Sequence, residues 1–213
     1  MNQTKKIKAI YETFCHAEGN QHIAGEYAIL KLAEIIKAFK VKNVLEVGLG
    51  IGSIAGSILK ATKADEINRY EGIENNAFCL TSLPANLEAE YKRLSIYPDL
   101  NSVPDKYLYD LIIIDGTDTN LVKIRSLISK HGVIAIEGDR SIQQKLLQDL
   151  FPGHLTVHTI SKEKNKSYSP FPVQHWQSGL KIIFIEPTVH QYLWCYKEKI
   201  STKVKNLYRL SKY

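Results

Sequence analysis

The stretch Val44-Leu45-Glu46-Val47-Gly48-Leu49-Gly50-Ile51-Gly52 decides the fold of this chain. It begins as a short apolar run that contains one acid, and it passes into three glycines spaced two residues apart. Small and apolar residues that suit a helix follow from Ser53 to Lys60. A strand, a glycine turn and a helix in this order open a nucleotide-binding α/β unit. The turn lets the backbone approach a ligand, and the free N–H groups of the helix favour a polar or anionic group.

The size and composition of the chain fit one α/β domain. The 213 residues are enough to bury a core, and the apolar share of 44% and charged share of 23% are ordinary for a globular protein. Cys15, Cys79 and Cys195 lie far apart and lack the spacing of a zinc site or a disulfide framework. The first twenty residues are polar and charged, and no apolar run approaches the roughly 20 residues of a membrane span. We therefore expect a cytoplasmic protein.

Hydrophobic patterns predict seven strands with mostly helical crossovers. Four consecutive branched apolar residues in Leu111–Ile114 indicate a central parallel strand that is buried on both faces. The last two strands are joined by a polar loop and are expected to be antiparallel neighbours. The predicted strands are 41–47, 70–74, 94–97, 109–116, 132–137, 155–160 and 180–185, and the predicted helices are 5–17, 25–39, 53–61, 76–93, 120–129 and 141–151.

The predicted fold is a three-layer α/β sandwich around a doubly wound, mostly parallel seven-stranded sheet that ends in an antiparallel strand pair. We interpret the chain as a single domain over 1–213. Within it, 1–40 supplies N-terminal helices, 41–187 forms the cofactor-binding core, and 188–213 is a basic C-terminal helix.

The net charge of +6 belongs almost entirely to the C-terminal segment, since Gln191–Tyr213 contains six basic residues and one acid. Apolar residues recur there at helical spacing between the lysines, which predicts a basic amphipathic helix. The apolar positions are Leu193, Tyr196, Ile200, Val204 and Leu207. Such a helix is compatible with docking on the core with a solvated lysine face, with an anionic membrane surface, with nucleic acid, or with a second subunit in a homo-oligomer.

The order of elements, with an acid followed by G-x-G-x-G after the first strand, resembles the class I S-adenosylmethionine-dependent methyltransferases. The resemblance covers about 25–187. More weakly, the Ile112–Gly116 strand end and the helix before the first strand are similar to small-molecule O-methyltransferases. This resemblance implies an enzyme that binds S-adenosyl-L-methionine and methylates an oxygen of a small molecule or a glycan precursor.

The resemblance assigns cofactor-binding roles by position. The three glycines would form the turn under the methionine part, and Glu46 would hold its amino group. Glu74 would accept hydrogen bonds from both ribose hydroxyls, and an ionised carboxylate can accept both. The positions assigned to the cofactor are Glu46, Gly48, Gly50, Gly52, Glu74 with the adjacent Asn75, Asp99 near the adenine, and Asp115 beside the methyl group.

Candidate catalytic residues follow the strand ends and the late loop. Asp115 and Glu137 each end a predicted buried strand at the carboxyl edge, where open α/β sheets bind ligands. His175 lies in the loop 161–179, which contains several aromatic residues and is a candidate lid, a binding loop for a sugar or aryl acceptor, or a surface loop folded on itself. Each of the three is a candidate base for an acceptor hydroxyl.

Two departures from related patterns bear on the chemistry. Metal-dependent catechol-type members have an Asp-Asn pair after strand five, where this chain has Glu137-Gly138 followed by Asp139. A divalent cation such as Mg²⁺ is a candidate ligand of Asp115 with Glu137 or Asp139. The Asp/Asn-Pro-Pro-aromatic signature of methyltransferases acting on DNA bases is replaced by Gly116-Thr117-Asp118, which argues against a nucleic-acid base as the substrate.

The same residues are compatible with three further functions. Gly50–Ala55 also satisfies G-x-G-x-x-A, which is typical of an NAD(P)-dependent oxidoreductase. Glu46 argues against it, because an acid before the glycines would repel a pyrophosphate. The second function is a binding protein without turnover, and the third is an RNA-acting protein that uses the basic tail.

Overall fold

The computed structural model describes residues 2–212 and has a seven-stranded sheet. The strands are β1 Asn43–Val47, β2 Arg69–Ile73, β3 Leu94–Tyr97, β4 Tyr109–Ile114, β5 Ile128–Glu137, β6 Leu155–Thr159 and β7 Leu180–Phe184. Their order across the sheet is β3-β2-β1-β4-β5-β7-β6. Neighbouring strands from β3 to β5 are parallel, whereas β7 runs antiparallel to β5 and β6. The predicted sheet with its terminal antiparallel pair is confirmed.

Helices cover both faces of this sheet. They are α1 Gln3–Cys15, α2 Glu26–Ala38, α3 Ser53–Ala61, α4 Ala77–Leu87, α5 Ile124–Leu127, α6 Ser141–Leu150 and α7 Val189–Leu210. Leu111 and Ile113 of β4 pack into the core shared with α1–α4 and α7, and Ile112 and Ile114 pack into the core on the opposite side with α5 and α6. The predicted three layers are therefore confirmed, and the four consecutive apolar residues of β4 are explained by burial on both faces.

The chain reverses its direction of travel across the sheet between β1 and β4. From β1 it builds outward through β2 to β3, and then returns to place β4 on the other side of β1. In open α/β sheets, ligands bind in the crevice at the carboxyl ends of the strands at this reversal. The glycine stretch after β1 and Asp115 after β4 both lie at this position.

The segment between β4 and β5 differs from its predicted helix over 120–129. A 3₁₀ turn, Leu121–Lys123, leads into the four-residue α5, and β5 then begins at Ile128. Ile124, Leu127 and Ile128 are buried. Apolar residues at this spacing can be buried by a short turn followed by an extended strand as well as by a helix. The predicted helix was therefore too long.

The second crossover helix ends earlier than its predicted range of 76–93. Asn76 caps it by accepting a hydrogen bond from the Cys79 N–H at 3.2 Å, as its residue type favours. Pro84 lies inside α4, which ends at Leu87 and continues as a 3₁₀ helix from Glu88 to Arg93. The predicted helix is divided at Glu88, which has φ +56° and lies four residues after Pro84.

Helix α7 docks through a face other than the predicted apolar stripe. The residues buried against the core are Gln191, Trp194, Cys195 and Glu198. Trp194 packs against the rings of Phe39 and Phe184, with centroids 5.6 and 5.8 Å away. The predicted stripe, Leu193, Tyr196, Ile200, Val204 and Leu207, is exposed instead. Among residues 2–212, none of the helices has the length and apolarity needed to span a membrane.

The same helix covers the open edge of β6. Thr202 donates a hydrogen bond from its hydroxyl to the His158 carbonyl at 2.9 Å, and the Cys195 thiol lies 3.6 Å from the Thr156 carbonyl. These two carbonyls belong to the edge strand, so α7 side chains satisfy acceptors that would otherwise be free.

Truncation of Trp194 tests which face of α7 docks. We expect Trp194→Ala to lower the free energy of unfolding by about 3–5 kcal/mol, the usual cost of deleting a buried large aromatic side chain. Tyr196→Ala is the matched control, and because Tyr196 is exposed it should change stability by about 0.5 kcal/mol or less. Urea unfolding measures both values. A larger loss for Tyr196→Ala than for Trp194→Ala would contradict the docking described here.

Candidate functional site

Two glycines bring the ends of β1 and β4 into backbone contact. Gly48 has φ +91°, and a Cβ built on it would lie 2.5 Å from the Cα of Gly116. The Asp115 N–H donates to the Val47 carbonyl at 2.9 Å, and the Gly48 N–H donates to the Ile73 carbonyl at 3.1 Å. Glycine at 48 is therefore required both by conformation and by space.

The middle glycine faces open space. Gly50 has φ +53°, and nothing lies within 4 Å of the position its Cβ would take. Its N–H donates to Glu74 Oε2 at 2.7 Å. The other Glu74 oxygen accepts from the N–H groups of Asn75 and Asn76 at 2.9 and 2.8 Å. Glu74 thus fastens the glycine turn to the end of β2, while the exposed Asn75 contributes its backbone N–H.

Glu46 lies fully buried under the turn. One of its oxygens accepts a hydrogen bond from the Tyr70 hydroxyl, and the other, Oε1, has no hydrogen-bond partner within residues 2–212. Burial raises the pKa of Glu46 well above the ordinary range of a glutamate, the Tyr70 hydrogen bond opposes this, and the nearby Asp115 and Glu74 raise it further. A buried hydrogen-bond acceptor without a donor costs stability, so a ligand that donates a hydrogen bond to Oε1 would be favoured at this position.

Asp115 and Glu137 come together at the ends of β4 and β5. Burial raises the pKa of Asp115 well above its ordinary value, and the neighbouring Glu137 carboxyl raises it further. Both effects favour the protonated form of Asp115, while the Arg140 guanidinium opposes them. The two carboxyl groups are candidates for proton transfer with a substrate.

Two residues that sequence reasoning missed hold this pair in place. Arg140 donates to the Glu137 carbonyl at 2.9 Å and to the Asp115 carbonyl at 2.6 Å, and its guanidinium lies 3.5 Å from an Asp115 carboxylate oxygen. Ser178 donates its hydroxyl to Glu137 Oε1 at 2.9 Å. Arg140 lies three residues after the end of β5, and this position near the carboxyl edge of the sheet is the sequence feature that could have identified it.

Asp99 serves a local turn in this structure. It accepts from the N–H and the hydroxyl of Ser102, both at 2.9 Å, and these hydrogen bonds lower its pKa. Another missed residue, Asp118, accepts from the Leu100 N–H at 3.0 Å and the Asn120 N–H at 2.7 Å. The contact of Asp99 with an adenine stays a prediction.

Hydrogen bonds and a ring contact hold the loop 161–179 in place, and His175 in this loop does not join the Asp115–Glu137 pair. Tyr168 donates to Glu26 at 2.7 Å, and Trp176 packs against the Tyr208 ring of α7 at 6.3 Å. Arg209 of α7 donates to the carbonyls at both ends of the loop, residues 161 and 177. His175 is exposed, and within residues 2–212 no hydrogen bond or ion pair joins it to the carboxyls. Its catalytic role stays a prediction.

The structure leaves Asp115 and Glu137, but not Asp139, as carboxylates for the predicted divalent cation. Asp139 is 95% exposed and lies 3.4 Å from Lys181, while Arg140 already brings positive charge to Asp115. Within the described residues, no three His, Cys, Asp or Glu side chains are grouped as ligands. A hard cation such as Mg²⁺ is usually held by one or two carboxylates while waters complete its six ligands, so its binding by Asp115 and Glu137 stays a prediction.

Sequence comparison finds no relatives: no protein-family model and no curated protein matches the chain. Solved structures do match in fold. An O-methyltransferase from Bacillus cereus in complex with S-adenosylhomocysteine aligns with a TM-score of 0.62 over 84% of this chain and 90% of that one, at 12% identity. The chain has the methyltransferase fold.

Two further structures support this assignment of the fold. A protein from Klebsiella pneumoniae that is provisionally assigned as an O-methyltransferase gives a TM-score of 0.60 at 14% identity, over 87% of this chain and 90% of that one. An S-adenosylmethionine-dependent O-methyltransferase from Thermotoga maritima gives 0.55 at 14% identity, over 73% of this chain and 63% of that one.

Replacement of Glu46 tests the energetic cost of its burial. Its raised pKa means that its favourable contribution is present at low pH and is lost as the pH rises toward the pKa in the folded state. Glu46→Gln retains an acceptor for Tyr70 and removes the titration. We expect the melting temperature of Glu46→Gln to exceed that of the unmodified protein by about 2–4 °C at pH 8, equivalent to ~1 kcal/mol, and by less at pH 5.

Thermal unfolding followed by circular dichroism at the two pH values measures this difference. Glu186→Gln removes the same charge from an exposed position and should give a small shift that is similar at both. A Glu46→Gln shift that is equal at pH 5 and pH 8 would contradict the raised pKa.

Proposed function

We propose that this protein is an S-adenosylmethionine-dependent methyltransferase that acts on a hydroxyl group of a small molecule or a glycan precursor. The observation that carries this proposal is the free, buried oxygen of Glu46 directly under the glycine turn. An ammonium group is a donor that pairs strongly with such a carboxyl, and the methionine part of the cofactor has one.

The charge of the crevice also favours this cofactor over a dinucleotide. Four carboxyl groups gather at the carboxyl edge, and Arg140 is the guanidinium that opposes them. They belong to Glu46, Glu74, Asp115 and Glu137. Those carboxyl groups that are ionised attract a ligand with a sulfonium and an ammonium group, and they repel a pyrophosphate.

The residues of the turn suit the remaining parts of the cofactor. Gly50 leaves room above the backbone for the methionine part. Glu74 has about four acceptor positions and uses three for backbone N–H groups, so a ribose hydroxyl can use the fourth or replace one. Asn75 and Asp99 lie further along the same edge and are proposed to border the ribose and the adenine.

Within this proposal the protein's own residues position the acceptor and take its proton. The bound cofactor supplies a methyl group on a positively charged sulfur. The Asp115–Glu137 pair accepts the proton of the acceptor hydroxyl, and Arg140 fixes both strand ends so that the pair keeps its position. Ser178 orients Glu137 from the loop side. Positioning supplies most of the remaining rate enhancement.

The solved structures support the same cofactor by analogy of fold. The Bacillus cereus enzyme was solved with S-adenosylhomocysteine, the product that remains after methyl transfer. Fold alone does not determine function, so the proposed cofactor is supported chiefly by the acids of the crevice and by the glycine turn.

Calorimetric titration tests the cofactor. We expect S-adenosylmethionine and S-adenosylhomocysteine to bind, and NAD(H) to show no binding. Burial raises the pKa of Glu46, whereas an ammonium partner would favour its ionised form. Over the pH range in which free Glu46 is protonated, binding should therefore release a proton and tighten as the pH rises. Titrations in buffers of different ionisation enthalpy measure that release.

Glu46→Gln should weaken S-adenosylmethionine binding by about tenfold or more, since a hydrogen bond to a charged group contributes about 1.5–3 kcal/mol. It should also abolish the proton release. Glu186→Gln, at the opposite edge of the sheet, should bind as the unmodified protein does. Binding of NAD(H) with no binding of either sulfur compound would overturn the proposal in favour of an oxidoreductase.

Asp115→Asn tests the proposed base. With labelled cofactor and a panel of phenolic and sugar acceptors, we expect turnover to fall by about 10²–10⁴-fold, the usual contribution of general base catalysis. Affinity for S-adenosylhomocysteine should change by only a few-fold. Asp139→Asn is the matched control and should leave turnover unchanged. Equal turnover of both variants would exclude Asp115 as the base, and no transfer to any acceptor by a protein that binds the cofactor would favour a binding protein.

A further inference from the structure

The outer face of α7 is an exposed apolar stripe. We define the stripe as Leu193, Tyr196, Ile200, Val204 and Leu207, whose side chains are between 47% and 68% exposed. At 100° per residue these positions fall within one sector of the helix, opposite the docked residues Gln191 and Glu198. The stripe runs along a helix of 22 residues, about 33 Å long. An exposed apolar surface this continuous usually marks an interaction site.

The charge around the stripe is positive throughout. Lys197 lies on one flank and Lys199 and Lys203 lie on the other, and all three are exposed. The acid of this helix, Glu198, points inward and pairs with the buried Lys31 at 3.2 Å. The outward face of α7 therefore offers apolar and cationic groups without a neighbouring carboxylate from the same helix.

We propose that the stripe docks on an anionic membrane surface, with α7 lying in the plane of the interface. Apolar side chains would enter the boundary between headgroups and acyl chains, while the flanking lysines contact acidic headgroups. Tyr196 in the stripe and the exposed Tyr192 and Tyr208 beside it suit this depth, because their rings are amphipathic. Lysine side chains of this length reach the headgroups from a partly immersed helix.

Charge complementarity favours a bilayer over a second copy of this chain. Two copies that paired through the stripe would bring their lysine rows together, and like charges at an interface cost binding energy. Lys199 and Lys203 also border a groove of about 480 Å³ beside β6, which Lys181 lines as well. This continuation of basic groups next to the stripe matches an anionic headgroup.

Vesicle flotation of the full chain tests the proposal. The probes are vesicles of phosphatidylcholine alone and vesicles of equal parts of phosphatidylcholine and phosphatidylglycerol. We expect binding to the anionic vesicles only, and weaker binding as salt is added. Replacing three exposed lysines, K197Q/K199Q/K203Q, should lower the partition coefficient about a hundredfold, since each charge contributes about fivefold.

Apolar variants and matched controls separate the apolar contribution to membrane binding from the electrostatic one. The triple variant L193S/I200S/L207S should lower the partition coefficient at least tenfold without loss of helix content, because all three side chains are exposed. The control for apolarity is I142S on α6, a residue that is 85% exposed, and the control for charge is K92Q/K106Q/K130Q. Both controls should bind as the unmodified protein does.

Three results would overturn the proposal. The first is no binding to anionic vesicles. The second is equal binding by the stripe variants and their controls. The third is a dimer in sedimentation equilibrium that L193S/I200S/L207S dissociates, because the stripe would then belong to a second copy. Titration of the same samples with S-adenosylmethionine tests the cofactor site independently. A failure of membrane binding is thereby distinguished from a failure of the proposed enzymatic activity.

Discussion

The contact between Gly48 and Gly116 is the constraint on which the arrangement of the site depends. Neither residue has a side chain, so the ends of β1 and β4 approach until a single Cβ would overlap the opposite backbone. The chain reverses across the sheet at this point, and the side chains at the two strand ends share one crevice. Glu46 and Asp115 are near each other because two glycines permit it.

This gathering of acids has an energetic cost that the surrounding residues only partly offset. Tyr70 serves one oxygen of Glu46, Arg140 opposes the charge at Asp115, and backbone N–H groups surround Glu74. One oxygen of Glu46 is left without any donor among residues 2–212. Local conflicts of this kind, in which a stable fold retains an unfavourable group, are typical of sites that a ligand completes.

Much of the fold and part of the candidate site follow from the sequence. Acids at the ends of parallel strands must meet at one edge, which is why Asp115 and Glu137 could be paired from their positions alone. Their partners Arg140 and Ser178 could not be predicted in this way, because they reach the pair through the paths of two loops. Tyr70 could not be predicted either, because it reaches Glu46 through the register of β1 and β2. Helix α7 has apolar residues on two opposite faces, and periodicity cannot tell which one docks. The structure buries Trp194 and leaves the longer stripe exposed.

The hydrogen bonds from α7 to the carbonyls of Thr156 and His158 close the edge of the sheet formed by β6. An uncovered edge strand is a template on which another chain can add a strand, and proteins protect such edges to avoid aggregation. The inner face of α7 thus covers the edge of the sheet, and its outer face presents the exposed apolar stripe. Proteolysis before Val189 would remove the cover of β6 and the apolar stripe together. Neighbouring copies could then add a strand to the open edge of β6.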